Sequence, residues 1–99
     1  MNIYDTHVWT GQCVVDDGSR LLDNHISVSP LTPMNCKTSC SAKGYSFAGV
    51  QNSNECFCGD EEPPLARIAP EGDCKKKCIG DSTQFCGGFW RMNVYNTFV

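Results

Sequence analysis

Residues 32–59 read TPMNCKTSCSAKGYSFAGVQNSNECFCG and carry the strongest secondary-structure signals in the chain. Thr32 is a favourable N-cap residue and Pro33 suits the first helical position, so the pattern predicts a helix over residues 34–43. Gly44 ends this helix, because glycine tolerates the left-handed backbone of a C-terminal cap. The segment therefore begins with one short, capped helix.

A β-hairpin is predicted directly after this helix. Residues 45–51 alternate and are rich in β-forming side chains, which is typical of a strand. Residues 52–54 form an Asn/Ser turn cluster, and residues 55–59 are expected to return as the second strand.

The four cysteines of this segment fall on matching faces. Cys36 and Cys40 are four residues apart, about 6 Å along a helix, and both face the same way. Cys56 and Cys58 are two apart, about 6.6 Å along a strand, and share a face. The match favours the bonds Cys36–Cys56 and Cys40–Cys58, although spacing alone does not choose among the roughly 105 connectivities that eight cysteines allow.

Cysteine content indicates the class of domain. The chain has 99 residues, which fits one domain, and its eight cysteines are Cys13, Cys36, Cys40, Cys56, Cys58, Cys74, Cys78 and Cys86. An even number at this density is typical of a disulfide scaffold in a secreted, extracellular protein. Zinc is disfavoured, because C-x-C is an awkward chelate spacing and His7 and His25 lie far from the cysteine clusters, in predicted solvated loops. We therefore expect no metal and no cofactor.

Charge and hydropathy exclude several partners. The net charge of −3 argues against binding to nucleic acid or to an anionic membrane. No apolar run approaches the ~18 residues of a membrane span, so no membrane insertion is expected. The N-terminal sequence MNIYDTHVWTG lacks the basic and apolar regions of a signal peptide, so a secretion signal is expected to be absent from this chain.

Outside residues 32–59 the signals are weaker. Residues 11–16 and 91–95 are predicted as strands, and residues 18–30 as irregular. Residues 60–70 are predicted as an acidic, proline-broken loop. Pro70 is expected to open a short helix that Gly80 ends and that presents three consecutive lysines to solvent.

Five motifs are spread along the chain. They are G-x-C from Gly11, T-P-x-x-C-x-x-x-C-x-x-x-G-Y-x-F-A-G-x-Q over 32–51, E-C-F-C-G over 55–59, C-x-x-x-C-x-G-D over 74–81 and C-G-G-x-W-R-M-N-V-Y over 86–95. Together they resemble the WSC domain, a family named for cell-wall integrity sensors of yeast that also occurs in animal kringle-containing receptors. The resemblance covers nearly the whole chain and includes all eight cysteines.

The resemblance implies the fold and the domain limits. WSC domains have a small disulfide-rich α+β fold similar to PAN/apple domains, with a helix packed on a twisted antiparallel sheet. The implied disulfides are Cys13–Cys74, Cys36–Cys56, Cys40–Cys58 and Cys78–Cys86. The domain is expected to span residues 11–96, after an N-terminal lead-in of residues 1–10 and before a tail of residues 97–99.

The resemblance also implies a carbohydrate-binding, lectin-like module without catalysis. Its expected ligand is a polysaccharide or glycan of the β-glucan, mannan or chitin type. Sugar binding needs exposed aromatic faces with planar polar groups nearby, and the candidates are Gln51, Asn52, Asn54, Glu55, Phe57, Phe89, Trp90 and Arg91. The alternative is a protein–protein interaction module of an extracellular receptor or matrix protein.

Exposure of the candidates is predicted only in part. Phe57 is expected to be the exposed aromatic, because it faces away from the disulfides of its two neighbours. Trp9, Trp90 and Gln51 fit either core or surface, and Glu55 is expected to pair with Arg91 or with backbone N–H groups. An enzyme is not expected, because two loop histidines form no convincing triad and oxidised cysteines are not nucleophiles.

Overall fold

The computed structural model describes residues 7–17 and 20–98. The elements are β1 (Thr10–Val15), β2 (Asn24–Ile26), α1 (Pro33–Ala42), β3 (Phe47–Gln51), β4 (Glu55–Gly59), β5 (Lys77–Cys78), β6 (Asp81–Phe85) and β7 (Arg91–Asn96), with single 3-10 turns at Leu65–Arg67 and Glu71–Asp73. Five strands form an antiparallel sheet in the order β1-β7-β3-β4-β2, and β5 and β6 form a separate pair.

Helix α1 begins and ends within one residue of its predicted limits. The hydroxyl of Thr32 accepts a hydrogen bond from the Asn35 backbone N–H at 3.1 Å, so the predicted N-cap is confirmed. Gly44 follows the helix with a φ of +88°, the left-handed conformation expected there. Cys36 and Cys40 lie on the buried face of the helix, which packs against β3 and β4.

All four expected disulfides are present. They are Cys13–Cys74, Cys36–Cys56, Cys40–Cys58 and Cys78–Cys86, with no cysteine left unpaired. The sulfur atoms of Cys36, Cys40 and Cys56 lie within 4.8 Å of one another, but each belongs to a disulfide, so this group is no thiolate site for a metal. The predicted α+β, disulfide-rich fold with one helix on an antiparallel sheet is confirmed.

The sheet is covered on both faces. One face packs under α1, where the two helix disulfides join Leu31, Ala48 and Val50. The opposite face forms a second apolar cluster of Trp9, Val14, Leu22, Phe47, Phe57, Met92 and Val94. Trp9 is fully buried and its Nε1 donates to Glu62 Oε2 at 2.9 Å, so the folded core includes a residue of the predicted lead-in.

Phe57 is therefore not the exposed aromatic that the sequence predicts. Its side chain does face away from the disulfides, but it is only 5% exposed, because Trp9 and Leu22 belong to the cluster that covers that face. His25, predicted in a loop, lies in β2, and its ring is 4.9 Å from that of Phe57.

The helix predicted after Pro70 is also wrong. Only Glu71–Asp73 forms a helical turn, and Lys77–Cys78 is a strand paired with β6. Cys74 and Cys78 would share one face of a helix, but they bond to Cys13 and Cys86, which lie in different parts of the fold. These tertiary bonds override the local signal, and the lysine run is carried by an extended segment.

Candidate functional site

A cleft of about 220 Å³ opens at one end of the sheet. Its lining residues are Arg20, Gln51, Asn52, Glu55, Phe89 and Trp90. The last five of these are among the eight residues that the sequence proposes for binding. The structure thus brings together candidates from two turns, the β3–β4 turn and the turn before β7, that are far apart in sequence.

Strand pairing explains why these two turns meet. Gln51, the last residue of β3, pairs with Glu55 of β4 on one side and with Met92 of β7 on the other. The turn after β3 and the turn before β7 therefore lie at the same end of neighbouring strands. A backbone hydrogen bond from the Ser53 N–H to the Cys86 carbonyl, 2.9 Å long, also ties the first turn to the second.

The turn before β7 presents two aromatic rings. Gly88 and Arg91 exchange backbone hydrogen bonds of 2.9 and 3.3 Å, which leaves Phe89 and Trp90 at the two central positions. Phe89 is 73% exposed and Trp90 is 52% exposed. Both rings are large apolar surfaces that the fold leaves in solvent at the cleft.

Trp90 is held in an unfavourable backbone conformation. Its φ is +54°, a region that usually costs a non-glycine residue about 1–2 kcal/mol. The conformation persists because its carbonyl accepts hydrogen bonds from the Asp16 N–H at 2.9 Å and from Arg91 Nη1 at 3.0 Å. Strain kept at an exposed aromatic side chain is typical of a functional position.

A pair of substitutions at Trp90 measures this strain. Both Trp90→Ala and Trp90→Gly remove the ring, but only glycine adopts a positive φ without cost. We expect the glycine variant to be more stable than the alanine variant by about 1 kcal/mol in urea unfolding. Equal stability of the two variants would contradict a strained turn.

Arg20 forms the wall of the cleft behind these rings. Its guanidinium carbon lies 4.7 Å from the ring centroid of Phe57 and 5.2 Å from that of Trp90. Its Nη1 donates to Oδ2 of the fully buried Asp16 at 2.7 Å. Asp16 thus positions both Arg20, through its carboxylate, and Trp90, through its backbone N–H.

Two acceptor groups face this wall from the hairpin. Gln51 is 3% exposed, and its Oε1 has no hydrogen-bond partner among the described residues. Glu55 does not form the predicted pair with Arg91, whose Nε donates to Asp73 Oδ2 at 3.0 Å instead. Among the described residues Glu55 is in none of the ion pairs, and it lines both the cleft and a neighbouring surface depression.

The other three candidates lie outside the cleft lining. Phe57 is buried beneath Arg20, and Asn54 lines a neighbouring surface depression together with His25 and Glu55. Arg91 supports the Trp90 turn from the side of Asp73. Each is next to the site, and none lines it.

Sequence reasoning missed Arg20 and Asp16. Asp16 ends the predicted strand 11–16 and Arg20 lies in the stretch predicted as irregular, so nothing local indicates their role in the cleft. The available signal was an acidic residue directly after a strand with an arginine four residues later. That spacing suits an ion pair, but only the tertiary structure shows that the aspartate is buried beside Trp90.

The fold is that of a small, disulfide-stabilised α+β domain with one helix on an antiparallel sheet. A family model for the WSC domain matches residues 11–88, and the chain belongs to this family. WSC domains occur in the extracellular parts of receptors and cell-wall sensors, and the four disulfides fit that location. Within the described residues, no helix has the length and apolarity needed to cross a membrane.

Relatives of the chain come from animals and fungi. Xylosyltransferase oxt of Drosophila melanogaster is 42% identical over 88 residues, which cover 86% of this chain and 10% of that protein. Kremen protein 2 of Homo sapiens is 39% identical over 90 residues, 88% of this chain and 20% of that protein. Protein SLG1 of Saccharomyces cerevisiae is 38% identical over 60 residues, 61% of this chain and 16% of that protein.

The matching region is a small part of each of these relatives. The chain spans between a tenth and a fifth of the length of these three relatives. The WSC domain is a non-catalytic module in receptors and sensors, and the xylosyltransferase shows that it also occurs within enzymes.

Proposed function

We propose that this WSC domain is an extracellular carbohydrate-binding module that recognises a β-glucan, mannan or chitin-like glycan without catalysis. The observation that carries the proposal is the cleft in which the exposed rings of Phe89 and Trp90 lie beside Gln51, Asn52 and Glu55. The proposed binding residues are these five together with Arg20.

This combination suits the chemistry of a sugar. A pyranose ring presents an apolar C–H surface, which an aromatic face can cover, and hydroxyl groups, which amides and carboxylates can bind. The cleft volume of about 220 Å³ is below the range of roughly 300–1,000 Å³ that is usual for drug-sized ligands. Such a site fits one ring within a polymer better than an enclosed free ligand.

The hydrogen bonds of the site also favour binding. Backbone hydrogen bonds fix the turn that carries Trp90, and the ion pair with Asp16 fixes the neighbouring Arg20. Groups that are already ordered lose less conformational entropy when a ligand binds. The lining contains a single carboxylate, that of Glu55, whereas glycoside hydrolysis generally uses a pair. This arrangement supports recognition rather than cleavage.

Alanine substitution of the two exposed aromatic residues tests the proposal. We expect Phe89→Ala and Trp90→Ala each to weaken retention on insoluble β-glucan, mannan or chitin by at least about tenfold, because each removes a stacking surface from the centre of the site. Pull-down of the oxidised protein measures retention, and a glycan array extends the panel.

Phe98→Ala is the matched control. Phe98 is as exposed as Phe89, at 73%, but it does not line the cleft. Its removal should leave retention unchanged. If the folded wild-type domain is retained on no polymer and binds no arrayed glycan, the proposal is wrong, and the exposed rings would instead be assigned to a protein partner.

A further inference from the structure

Gln51 is an unusual residue for the end of a central strand. Its neighbours Val50 and Met92 are fully buried and apolar, whereas Gln51 buries an amide whose Oε1 has no partner among the described residues. A buried acceptor without a hydrogen bond destabilises the fold, because its desolvation is not compensated. Gln51 also lines the cleft, so a bound ligand could supply the missing donor.

Glu55 adds a second acceptor with a charge. It pairs with Gln51 across the β3–β4 hairpin, so the two side chains belong to the same end of the sheet and to the same cleft. Its carboxylate can accept hydrogen bonds from hydroxyl groups but cannot donate one.

The cationic groups around the cleft do not offset this carboxylate directly. The guanidinium of Arg20 is already paired with the buried carboxylate of Asp16, and Arg91 is paired with Asp73. Lys76 lies with its Nζ 4.3 Å from the Phe89 ring centroid, but it is not among the residues that line the cleft. Within the lining, Glu55 is therefore the charged side chain that has no ion-pair partner among the described residues.

From these contacts we infer that the cleft selects an uncharged, hydroxyl-bearing sugar and excludes acidic ones. Gln51 Oε1 and the Glu55 carboxylate accept hydrogen bonds from sugar hydroxyls. The same carboxylate repels a uronate or sulfate group in the partly dehydrated cleft. Glu55 is thus the residue that determines charge selectivity. This inference rests on the proposed carbohydrate binding.

A single isosteric substitution tests the selectivity. The wild-type domain is titrated with soluble laminarin, yeast mannan and chitin oligomers as neutral probes, and with polygalacturonate and heparin as acidic probes. We expect the acidic probes to bind at least about tenfold more weakly than the best neutral probe. Glu55→Gln should strengthen binding of the acidic probes by about tenfold and change the neutral affinity by less than about threefold.

Glu71→Gln is the control for net charge. It removes the same charge from an exposed position outside the cleft, so it should leave the ratio of acidic to neutral affinity unchanged. An equal change in both variants would show that overall charge, and not Glu55, sets the preference, and would overturn the inference.

Gln51→Met provides a readout that a purely structural role would not give. Methionine has a similar shape without the buried polar atoms. We therefore expect Tm to rise by about 4 °C or more, because the cost of the unpartnered amide is removed. The affinity for the best neutral probe should fall by about tenfold, because the acceptor is lost.

The outcomes separate this inference from the function on which it rests. Binding to none of the probes would overturn both. Binding to neutral and acidic probes with equal affinity, or to acidic probes alone, would overturn the selectivity and leave carbohydrate binding in place. A Gln51→Met variant that loses stability and keeps its affinity would show that Gln51 serves the fold and not the ligand.

Discussion

Replacing Cys13 and Cys74 together with alanine is expected to lower the free energy of unfolding by about 4 kcal/mol, a large part of the ~5–15 kcal/mol that a domain usually has. The two cysteines are 61 residues apart in sequence, the longest separation among the four disulfides. In the chain-entropy account, a disulfide stabilises by restricting the unfolded chain, and the effect grows with the length of the closed loop.

The surroundings of this disulfide also favour a large loss of stability when it is removed. Cys13 lies on β1 and Cys74 follows the Glu71–Asp73 turn, and both are buried in a small cluster with Ala69 and the partly buried Val15. A backbone hydrogen bond of 2.7 Å, from the Ala69 N–H to the Cys13 carbonyl, reinforces the contact. Most residues of the segment 60–76 are exposed. In the double variant we therefore expect this segment to become protease-sensitive before the sheet unfolds.

The Cys78–Cys86 disulfide is the internal comparison. Its cysteines are only eight residues apart, so the same account gives a loss of about 2.5 kcal/mol when both become alanine. Urea unfolding of the two double variants, followed by circular dichroism, measures the difference. A cost for Cys78–Cys86 that equals or exceeds that of Cys13–Cys74 would show that loop length does not govern the stability of this domain.

The parts of the fold that the sequence predicted correctly are set by local signals. Helix α1 follows from its Thr32 cap, Pro33 and Gly44, and the hairpin follows from alternation and a turn cluster. The Cys36–Cys56 and Cys40–Cys58 pairs were accessible from spacing, because a helix and a strand present thiols at similar intervals. The other two disulfides depended on the family resemblance, since no local geometry relates their cysteines.

The parts that were missed depend on distant residues. The sequence predicts the correct face of β4 for Phe57, but the burial of its ring depends on Trp9 and Leu22, which lie in other parts of the chain. The helix predicted after Pro70 was overridden by disulfides to two different elements. Of the residues that line the cleft, the sequence predicts all but Arg20, which belongs to a stretch without a helix or strand signal and is held beside Trp90 by its ion pair with Asp16.

Gly87→Ala is expected to cost about 3 kcal/mol or more and to abolish glycan retention. Gly87 has a φ of +72°, and a Cβ there would lie 2.6 Å from the carbonyl oxygens of Arg91 and Val50. It would also lie 2.7 Å from the Cα of Gln51. All three atoms are backbone, so no side chain can rotate away to make room. The end of β3 and the start of β7, which carry the two turns of the cleft, would have to separate.

Two other glycines separate the steric part of this cost from the part due to backbone strain. Gly72→Ala meets no atom within 4 Å and has no positive φ, so its stability should change by less than about 1 kcal/mol. Gly44→Ala also meets no atom within 4 Å but has a φ of +88°, so it should lose about 1 kcal/mol through backbone strain alone. Neither residue lines the cleft, so both variants should keep wild-type retention.

The order Gly72, Gly44, Gly87 is therefore the expected order of increasing loss in urea unfolding, with retention lost only at the last position. The steric part of the Gly87 effect is the difference from Gly44→Ala, and we expect it to be about 2 kcal/mol. A Gly87→Ala variant no less stable than Gly44→Ala would mean that the two turns are not packed against each other as the structure shows. Since the proposed site exists only where those turns meet, that result would remove its structural basis as well.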